Sequence, residues 1–275
     1  HTRCREVSWA RRCVIRDRIK EEINNYESSR ARGKKLLERM GVDSWFVCIH
    51  ARDPKYYRRY KNLSGTFFSC RDCSINNYLK AAEYITSKGG YVIRMGYNVG
   101  EKLNTDNPRI IDYATKYRTD FGDIYLPAKC KFFLGCTAGL FLIPTIFNVP
   151  VAGANWGAPF NHTPFRKGDI FIPKKVWSEK ENRFLTFSEI FEIGDYMETH
   201  QFQNAGLRLI ENTPEEILEL AREMNERLNG TFKYTEEDER LQKKFHSLIK
   251  PHHNHYGTPA RIGTYFLRKN RELLK

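Results

Sequence analysis

Four residues that follow a short apolar run have the chemistry of an anion site. Trp45–Ile49 (WFVCI) is typical of a strand buried on both faces of a parallel sheet, and His50-Ala51-Arg52-Asp53 follows it. Alternation along the strand places His50 and Arg52 on the same side. The guanidinium fork of Arg52 suits a phosphate, and Asp53 either orients Arg52 or accepts a proton from a hydroxyl. The alternative interpretation is an ordinary ion pair at a strand end.

A second stretch combines small residues with a hydroxyl group. Phe133-Leu134 leads into Gly135-Cys136-Thr137-Ala138-Gly139, which predicts a strand, a tight turn and the start of a helix. Backbone N–H groups at a helix start attract anions, so we predict phosphate contacts from Gly135, Thr137, Ala138 and Gly139. The turn matches neither a Walker A loop nor GxGxxG, which disfavours those nucleotide folds. A tight connection that merely needs small residues is the alternative.

Two further charged residues are candidates for the same site. Arg94 ends the apolar run Tyr91–Arg94 (YVIR), so it would be a third group in the row of strand ends, or else a surface charge. Glu189 would accept ribose hydroxyls in the crevice, or else lie on a helix surface.

Residues that bind metals are present without a recognised pattern. Cys70-Arg71-Asp72-Cys73 is a single CxxC, and a zinc ribbon needs a second pair. The chain has 7 scattered cysteines, which indicates a reducing compartment rather than a disulfide scaffold. We expect His252, His253 and His255 to be solvated. We therefore predict no metal and no other cofactor.

Alternating helices and strands would position these groups. The pattern predicts βαβ units and a parallel sheet, that is, an α/β fold with a Rossmann-like parallel sheet and flanking helices. The predicted helices are 14–40, Ser74–Ser87, Gly122–Cys130 and Leu140–Phe147, and the predicted strands after Trp45–Ile49 are Tyr91–Arg94, Ile110-Ile111, Lys131–Leu134 and Val149–Gly153. In such sheets, ligands bind at the carboxyl ends of the strands.

We predict three parts along the chain. They are an N-terminal helical segment at 1–44, a Rossmann-like domain at 45–212 and C-terminal helices at 213–275 that pack on the core. Residues 54–72 read as a loop, and 154–212 as an irregular insertion with only one strand (Asp169–Ile172) and one helix (Thr186–Phe191). Thr213-Pro214-Glu215-Glu216 opens the C-terminal helices with a capping sequence.

Composition narrows the class of protein. The chain has 275 residues, 40% of them hydrophobic, and a formal net charge of +13. The longest apolar run, Gly139–Pro150, falls short of the roughly 20 residues that a membrane helix needs. A strongly basic chain is expected to bind polyanions, namely nucleic acid, an anionic membrane or phosphate-bearing substrates. The basic residues are spread along the chain, which is also typical of a solvated surface.

Long stretches of the chain resemble a family of bacterial glycosyltransferases associated with surface polysaccharide and lipopolysaccharide synthesis. The resemblance covers most of the chain from about residue 40 onward. It rests on residues 45–53, 71–96 and 123–153, and on the shorter segments 168–175 (GDIFIPKK), 183–191 (RFLTFSEIF) and 212–217 (NTPEEI). More distantly, the HxR strand end is similar to fucosyltransferase-type GT-B enzymes, although HARD lacks the second arginine of their HxRRxD.

The resemblance implies a function and roles for the candidate residues. It implies metal-independent transfer of a sugar from a nucleotide sugar to a growing surface glycan or lipid-linked acceptor. Arg52 would bind the pyrophosphate, His50 would shape the pocket, and the Thr137 turn would hold phosphate oxygens. Asp53 and Asp72 are the candidates for the base that an inverting transfer needs. The fold would be of the GT-B donor-binding type.

Two alternatives stay open at this stage. One is a nucleic-acid-binding protein that uses the basic surface, although no helix-turn-helix, zinc finger or aromatic RNP pattern occurs and we expect no nucleic-acid partner. The other is a domain that binds a nucleotide or glycan without turnover. The transferase interpretation predicts a cytoplasmic protein, with peripheral contact at the inner face of an anionic membrane as an option that the charge leaves open.

Overall fold

The computed structural model of the chain describes residues 27–58, 69–157, 166–193, 199–253 and 256–275. Residues 14–26 of the first predicted helix, residues 59–68 of the predicted loop, and His255 lie outside this part. The same holds for 158–165 and 194–198 of the predicted insertion.

The described residues form ten strands in two sheets. Their bounds are β1 (Phe46–His50), β2 (Tyr91–Arg94), β3 (Ile110–Ile111), β4 (Phe133–Gly135), β5 (Val151–Trp156), β6 (Ile170–Pro173), β7 (Lys175–Ser178), β8 (Arg183–Phe184), β9 (Leu207–Ile210) and β10 (Arg261–Ile262). The 7-stranded sheet has the order β10-β6-β5-β4-β1-β2-β3, and its pairs are all parallel. Read from the other edge, β3-β2-β1-β4-β5-β6 is the doubly wound order, so the sheet is Rossmann-like. The strands are added in one direction from β1 to β3 and in the other from β4 to β6, so the switch point lies between β1 and β4.

Helices flank this sheet and connect its strands. Their bounds are α1 (Glu27–Arg39), α2 (Lys55–Arg58), α3 (Leu79–Ser87), α4 (Tyr113–Lys116), α5 (Asp120–Lys129), α6 (Leu142–Ile146), α7 (Phe187–Glu192), α8 (Thr199–Asn204), α9 (Pro214–Leu228), α10 (Glu236–Ser247) and α11 (Thr264–Lys269). Single 3-10 turns lie at Ser69–Arg71, Ile75–Tyr78, Gly139–Phe141 and Arg271–Leu274. Helix α9 packs on α3, β5 and β6, and α10 and α11 pack on each other.

The apolar runs in the sequence became the buried strands for a physical reason. Val47, Cys48 and Ile49 of β1 are completely buried, as are Val92 and Ile93 of β2. A parallel strand with helices on both faces has no solvent-facing side, so a continuous apolar run suits it better than an alternating one. Thr213 forms the predicted cap, as a capping box with Glu216, and the side chain of Ser74 accepts the N–H of Asn76 at another helix start.

The segment 154–212 is more regular than we predicted. Besides β6 and α7, it contains β7, β8 and β9, which form a 3-stranded antiparallel sheet in the order β8-β7-β9. These strands are only two to four residues long, and β9 leaves most of its residues partly exposed, so no apolar run marks them.

The C-terminal tail does more than dock on the core. Arg261–Ile262 adds a seventh parallel strand beside β6. The segment that we predicted as helices packing on the core therefore also contributes a strand to the main sheet.

None of the helices in the described ranges combines the length and the apolar character needed to cross a bilayer.

Candidate functional site

The two candidate stretches of the sequence meet at the switch point, where the strand order changes direction between β1 and β4. Strands β1 and β4 are neighbours, and His50 is the register partner of Gly135. The N–H of Cys136 donates to the carbonyl of His50 at 3.2 Å. A side chain at position 135 would bring its Cβ to 2.9 Å from that carbonyl oxygen, so the close approach requires glycine. In open α/β sheets this switch point is where ligands bind.

A cleft opens above these strand ends, and we call it the switch-point cleft. Its volume is about 450 Å³, within the range of small-molecule sites, and its lining includes His50, Arg52, Arg71, Tyr97, Ala138 and Gly139. Beside it lies a second cleft of about 800 Å³, which we call the acidic cleft, lined among others by Asp53, Asp72, Cys73, Glu101 and Glu211. Asp53 lines both clefts.

Arg52 lines the switch-point cleft and is held in place by an ion pair and by hydrogen bonds of its backbone. Its side chain is buried, with the whole residue 6% exposed, and Nη1 lies 3.1 Å from Oδ1 of Asp72. Its backbone N–H donates to Sγ of Cys136 at 3.1 Å, and its carbonyl accepts the N–H of Cys73 at 3.2 Å. A guanidinium fixed in this way needs little reorganisation to meet an anion.

Asp53 anchors a loop. Its carboxylate accepts the backbone N–H groups of Lys55 at 2.8 Å, Gly100 at 2.7 Å and Glu101 at 2.9 Å. Burial raises the pKa of Asp53, but these three hydrogen bonds outweigh it and leave the pKa below its usual value. A carboxylate with a low pKa and both oxygens occupied is a poor proton acceptor.

Asp72 has the opposite properties. Burial raises its pKa to about 6, although the positive charges of Arg52 and Lys174 lower it in part. Lys174, itself buried, fixes the backbone here because Nζ donates to the carbonyls of Asp72 at 2.6 Å and Cys70 at 3.1 Å. A carboxylate with a pKa near neutrality suits general base catalysis. Of the two predicted bases, the geometry favours Asp72.

His50 is neutral at physiological pH. Burial lowers its pKa to about 4, and the positive charges of Arg94 and Arg52 contribute in the same direction. Its Nδ1 lies 3.2 Å from the carbonyl oxygen of Met95, which can only accept, so Nδ1 carries the proton and Nε2 offers a lone pair. His50 therefore brings an acceptor rather than a positive charge to the cleft.

The Gly135–Gly139 turn differs in part from the prediction. Thr137 is 4% exposed, and its Oγ1 accepts the N–H of Gly157 at 2.9 Å, so this hydroxyl ties β4 to β5 instead of lining the cleft. Ala138 and Gly139 do line it. The helix that follows is short, because the 3-10 turn Gly139–Phe141 leads into only the five residues of α6. The helix dipole is correspondingly weaker than we expected.

Arg94 and Glu189, like Gly135 and Thr137, line neither cleft. Arg94 is 2% exposed, and its guanidinium bonds Asp112 at 3.2 Å and the carbonyl of Glu101 at 2.7 Å. Glu189 forms the capping box of α7 with Thr186 and is bound by Arg183 at 2.9 and 2.6 Å. Both residues stabilise local structure, so we do not include them in the proposed site.

Among the residues that line the switch-point cleft but were not predicted from the sequence are Tyr56, Arg71 and Tyr97. The two tyrosine rings meet edge to face at 6.3 Å, and the guanidinium of Arg118 lies 4.2 Å from the centre of the Tyr97 ring. Tyr97 follows the end of β2 closely, so its place beside a strand end was a signal in the sequence. Arg71 lies in the CxxC stretch, whose cysteines suggested a metal and whose Asp72 suggested a base.

One group of metal-binding residue types occurs within the described ranges, away from both clefts. Ligand atoms of Glu192, His252 and His253 lie within 4.8 Å of one another. However, the N–H of Lys250 donates to Nδ1 of His253 at 2.9 Å, so the Nε2 of the neutral ring carries its proton. A ligating histidine instead donates from its other nitrogen, so this arrangement opposes metal binding.

Comparisons with known proteins add no family. The chain matched no protein-family model, no curated protein and no solved structure.

Proposed function

We propose that the switch-point cleft binds the diphosphate of a nucleotide sugar, and that the chain transfers the sugar to a hydroxyl of a glycan. One observation carries the proposal. The buried Arg52 and the exposed backbone of Gly139 line the same cleft at the switch point of a doubly wound sheet, where such folds bind nucleotides.

The lining of the cleft suggests a role for each side. Arg52 and Arg71 supply positive charge for the two phosphates. No atom lies within 4 Å of a Cβ built at Gly139, so a phosphate oxygen has room to approach this backbone. The rings of Tyr56 and Tyr97 would contact the nucleotide base or the sugar, and Nε2 of His50 would accept a hydrogen bond from a sugar hydroxyl.

Asp72 is the proposed base of an inverting transfer. It would remove the proton from an acceptor hydroxyl in the acidic cleft while that oxygen attacks the anomeric carbon. The bond from this carbon to the diphosphate breaks, and the nucleoside diphosphate leaves with the electron pair. Binding the donor diphosphate to Arg52 would weaken the Arg52–Asp72 ion pair and raise the pKa of Asp72 further, which couples donor binding to the base.

The resemblance of residues 45–53, 71–96 and 123–153 to bacterial surface-glycan glycosyltransferases supports the same proposal. On that basis we propose a metal-independent enzyme of the GT-B type that acts in the cytoplasm on a glycan or lipid-linked acceptor. The net charge of +13 would favour contact with an anionic membrane that carries such an acceptor. The described residues contain one Rossmann-like sheet, which would correspond to the donor-binding domain of a GT-B enzyme.

The test has two stages. A thermal-shift screen against UDP and GDP identifies the base, because a ligand at about 100 times its Kd stabilises the fold by about 2.7 kcal/mol. The matching nucleotide sugar is then assayed for donor hydrolysis and for transfer to glycan acceptors, with wild type and Asp72→Asn. If wild type binds the nucleotide and transfers the sugar, and Asp72→Asn abolishes the transfer, the results support a glycosyltransferase. Binding without turnover by wild type supports instead a domain that only binds nucleotide.

A further inference from the structure

Glu211 lines the acidic cleft with a carboxylate that is held through only one of its oxygens. Its Oε2 accepts the backbone N–H of Ser74 at 3.1 Å and a hydrogen bond from Nδ2 of Asn77 at 2.8 Å. Within the described part of the chain, Oε1 accepts no hydrogen bond, and the residue is partly exposed. The carboxylate is therefore fixed in place and keeps one oxygen for a ligand.

The backbone beside Glu211 is fixed at the carboxyl end of the main sheet. Glu211 follows β9 directly, and the next residue, Asn212, is buried together with Asn155 of β5. The side chain of each asparagine accepts the backbone N–H of the other, at 2.6 and 2.7 Å. Nδ2 of Asn212 also donates to the carbonyl of Pro173 at the end of β6, at 2.8 Å. A side chain on such a base needs little reorganisation to bind a ligand.

Two of the other carboxylates that line the acidic cleft have no oxygen left over. In Asp53, both oxygens accept backbone N–H groups. In Glu101, Oε1 accepts a hydrogen bond from Oγ of Ser74 at 2.5 Å, and Oε2 accepts the N–H of Ile75 at 2.9 Å. Among the described acidic residues of this lining, Glu211 is thus the one, apart from the proposed base Asp72, with an oxygen that can accept a hydroxyl.

Glu211 and Asp72 are joined by a short stretch of backbone. Ser74, whose N–H Glu211 accepts, comes two residues after Asp72 in the sequence. Oδ1 of Asp72 pairs with Arg52, whereas Oδ2 accepts no hydrogen bond from the described residues. The cleft that both carboxylates line has a volume of about 800 Å³, so it is large enough for a sugar.

We propose that Glu211 is an acceptor-binding residue: its Oε1 accepts a hydrogen bond from one hydroxyl of the acceptor sugar, while another hydroxyl of that sugar meets Asp72. The assignment rests on the proposed function and adds the residue that selects the acceptor. The carboxylates of the cleft would repel a sugar that carries a carboxylate or phosphate at this point, so the acceptor sugar is a neutral one.

The experiment compares wild type with Glu211→Gln. The amide oxygen of Gln can still accept the hydrogen bonds from Ser74 and Asn77, which turns its NH2 group toward the cleft and leaves the fold intact. Glu215→Gln is the matched control, because it removes the same charge four residues away, from a carboxylate that pairs with Lys80 and does not line the cleft. Circular dichroism melts should give similar Tm values for all three proteins.

Binding of the sugar is measured first, without any turnover. Saturation-transfer NMR titrations use the methyl glycosides of glucose, galactose, mannose, N-acetylglucosamine and glucuronic acid, alone and with UDP or GDP. We expect at least one neutral glycoside to bind wild type and Glu215→Gln, and to bind Glu211→Gln about tenfold more weakly because a hydrogen bond to a charged group is lost. The glucuronide should not bind. No binding of any neutral glycoside to wild type, or equal affinities of wild type and Glu211→Gln, would overturn the proposal.

Transfer kinetics with the matching nucleotide sugar separate this proposal from the proposed function. Hydrolysis of the donor by water needs no acceptor sugar, so we expect it to be unchanged in Glu211→Gln, while KM for the glycoside rises about tenfold and kcat stays the same. If donor hydrolysis falls in parallel with transfer, Glu211 has only a structural role and the proposal is wrong. If wild type binds no nucleotide sugar, the proposed function fails, whereas the glycoside titrations still decide whether Glu211 binds a sugar.

Discussion

Exchanging each candidate base for its amide distinguishes the two aspartates. In Asp53, both oxygens accept backbone N–H groups, Oδ1 from Lys55 and Oδ2 from Gly100 and Glu101. Whichever way the amide of Asp53→Asn turns, its NH2 group must face at least one of these donors. Hydrogen bonds to a charged group contribute about 1.5–3 kcal/mol and neutral ones about 0.5–1.5 kcal/mol. After allowance for the partial exposure of the loop, we expect a loss of about 2–3 kcal/mol.

Asp72→Asn should behave in the opposite way. This carboxyl has no such set of backbone donors, and its ionised form is disfavoured by burial. Its loss should leave the stability near neutral pH unchanged or higher, while transfer falls roughly 10²–10⁴-fold because the base is gone.

Circular dichroism melts and transfer rates at a fixed temperature check this contrast. For a chain of this size, a loss of 2–3 kcal/mol lowers Tm by roughly 4–12 °C. We expect the lower Tm for Asp53→Asn, with transfer retained by the folded fraction. If Asp53→Asn keeps its Tm and loses transfer, while Asp72→Asn stays active, the assignment of the two carboxylates is wrong.

Three further predictions concern single residues near the cleft. Since burial raises the pKa of Asp72 from 3.8 to about 6, its ionisation costs stability as pH rises through that window. In urea denaturation, the free energy of unfolding of Asp72→Asn relative to wild type should therefore rise by on the order of 3 kcal/mol between pH 4 and pH 8. A difference that stays constant with pH would contradict the raised pKa of Asp72. For His50, whose pKa is lowered to about 4, NMR titration should find a neutral ring at pH 5.5, and a pKa near 6.5 would refute its burial. Gly135→Ala should cost about 1–3 kcal/mol because its Cβ meets the His50 carbonyl, whereas Gly139→Ala meets no atom and should leave urea stability unchanged.

Much of the main sheet was predictable because its strands are buried on both faces. Trp45–Ile49 and Tyr91–Arg94 are continuous apolar runs, and β1 and β2 formed there. Strands β7 and β8 lack such a run, and the pairing of β10 with β6 joins residues far apart in the chain. Local periodicity carries no information on such pairing.

The candidate site was predictable where one strand end defines it. The positions of His50 and Arg52 follow from the end of β1, but their meeting with Gly135 depends on the strand order, which no local pattern contains. The anchoring of Asp53 by Gly100 is likewise a long-range contact. By contrast, the capping role of Glu189 is visible in the sequence as Thr186-x-x-Glu189.

Calorimetric titration of the nucleoside diphosphate found by the screen tests the central claim most directly. Wild type and Arg208→Ala, which removes an exposed arginine paired with Glu179, should bind it with equal affinity. Arg52→Ala should bind at least about 100-fold more weakly, since a charge-assisted contact near 3 kcal/mol is lost, while its circular dichroism spectrum stays that of a folded chain. Equal affinity of folded Arg52→Ala and wild type, or no binding by wild type to any of the diphosphates, would contradict the account.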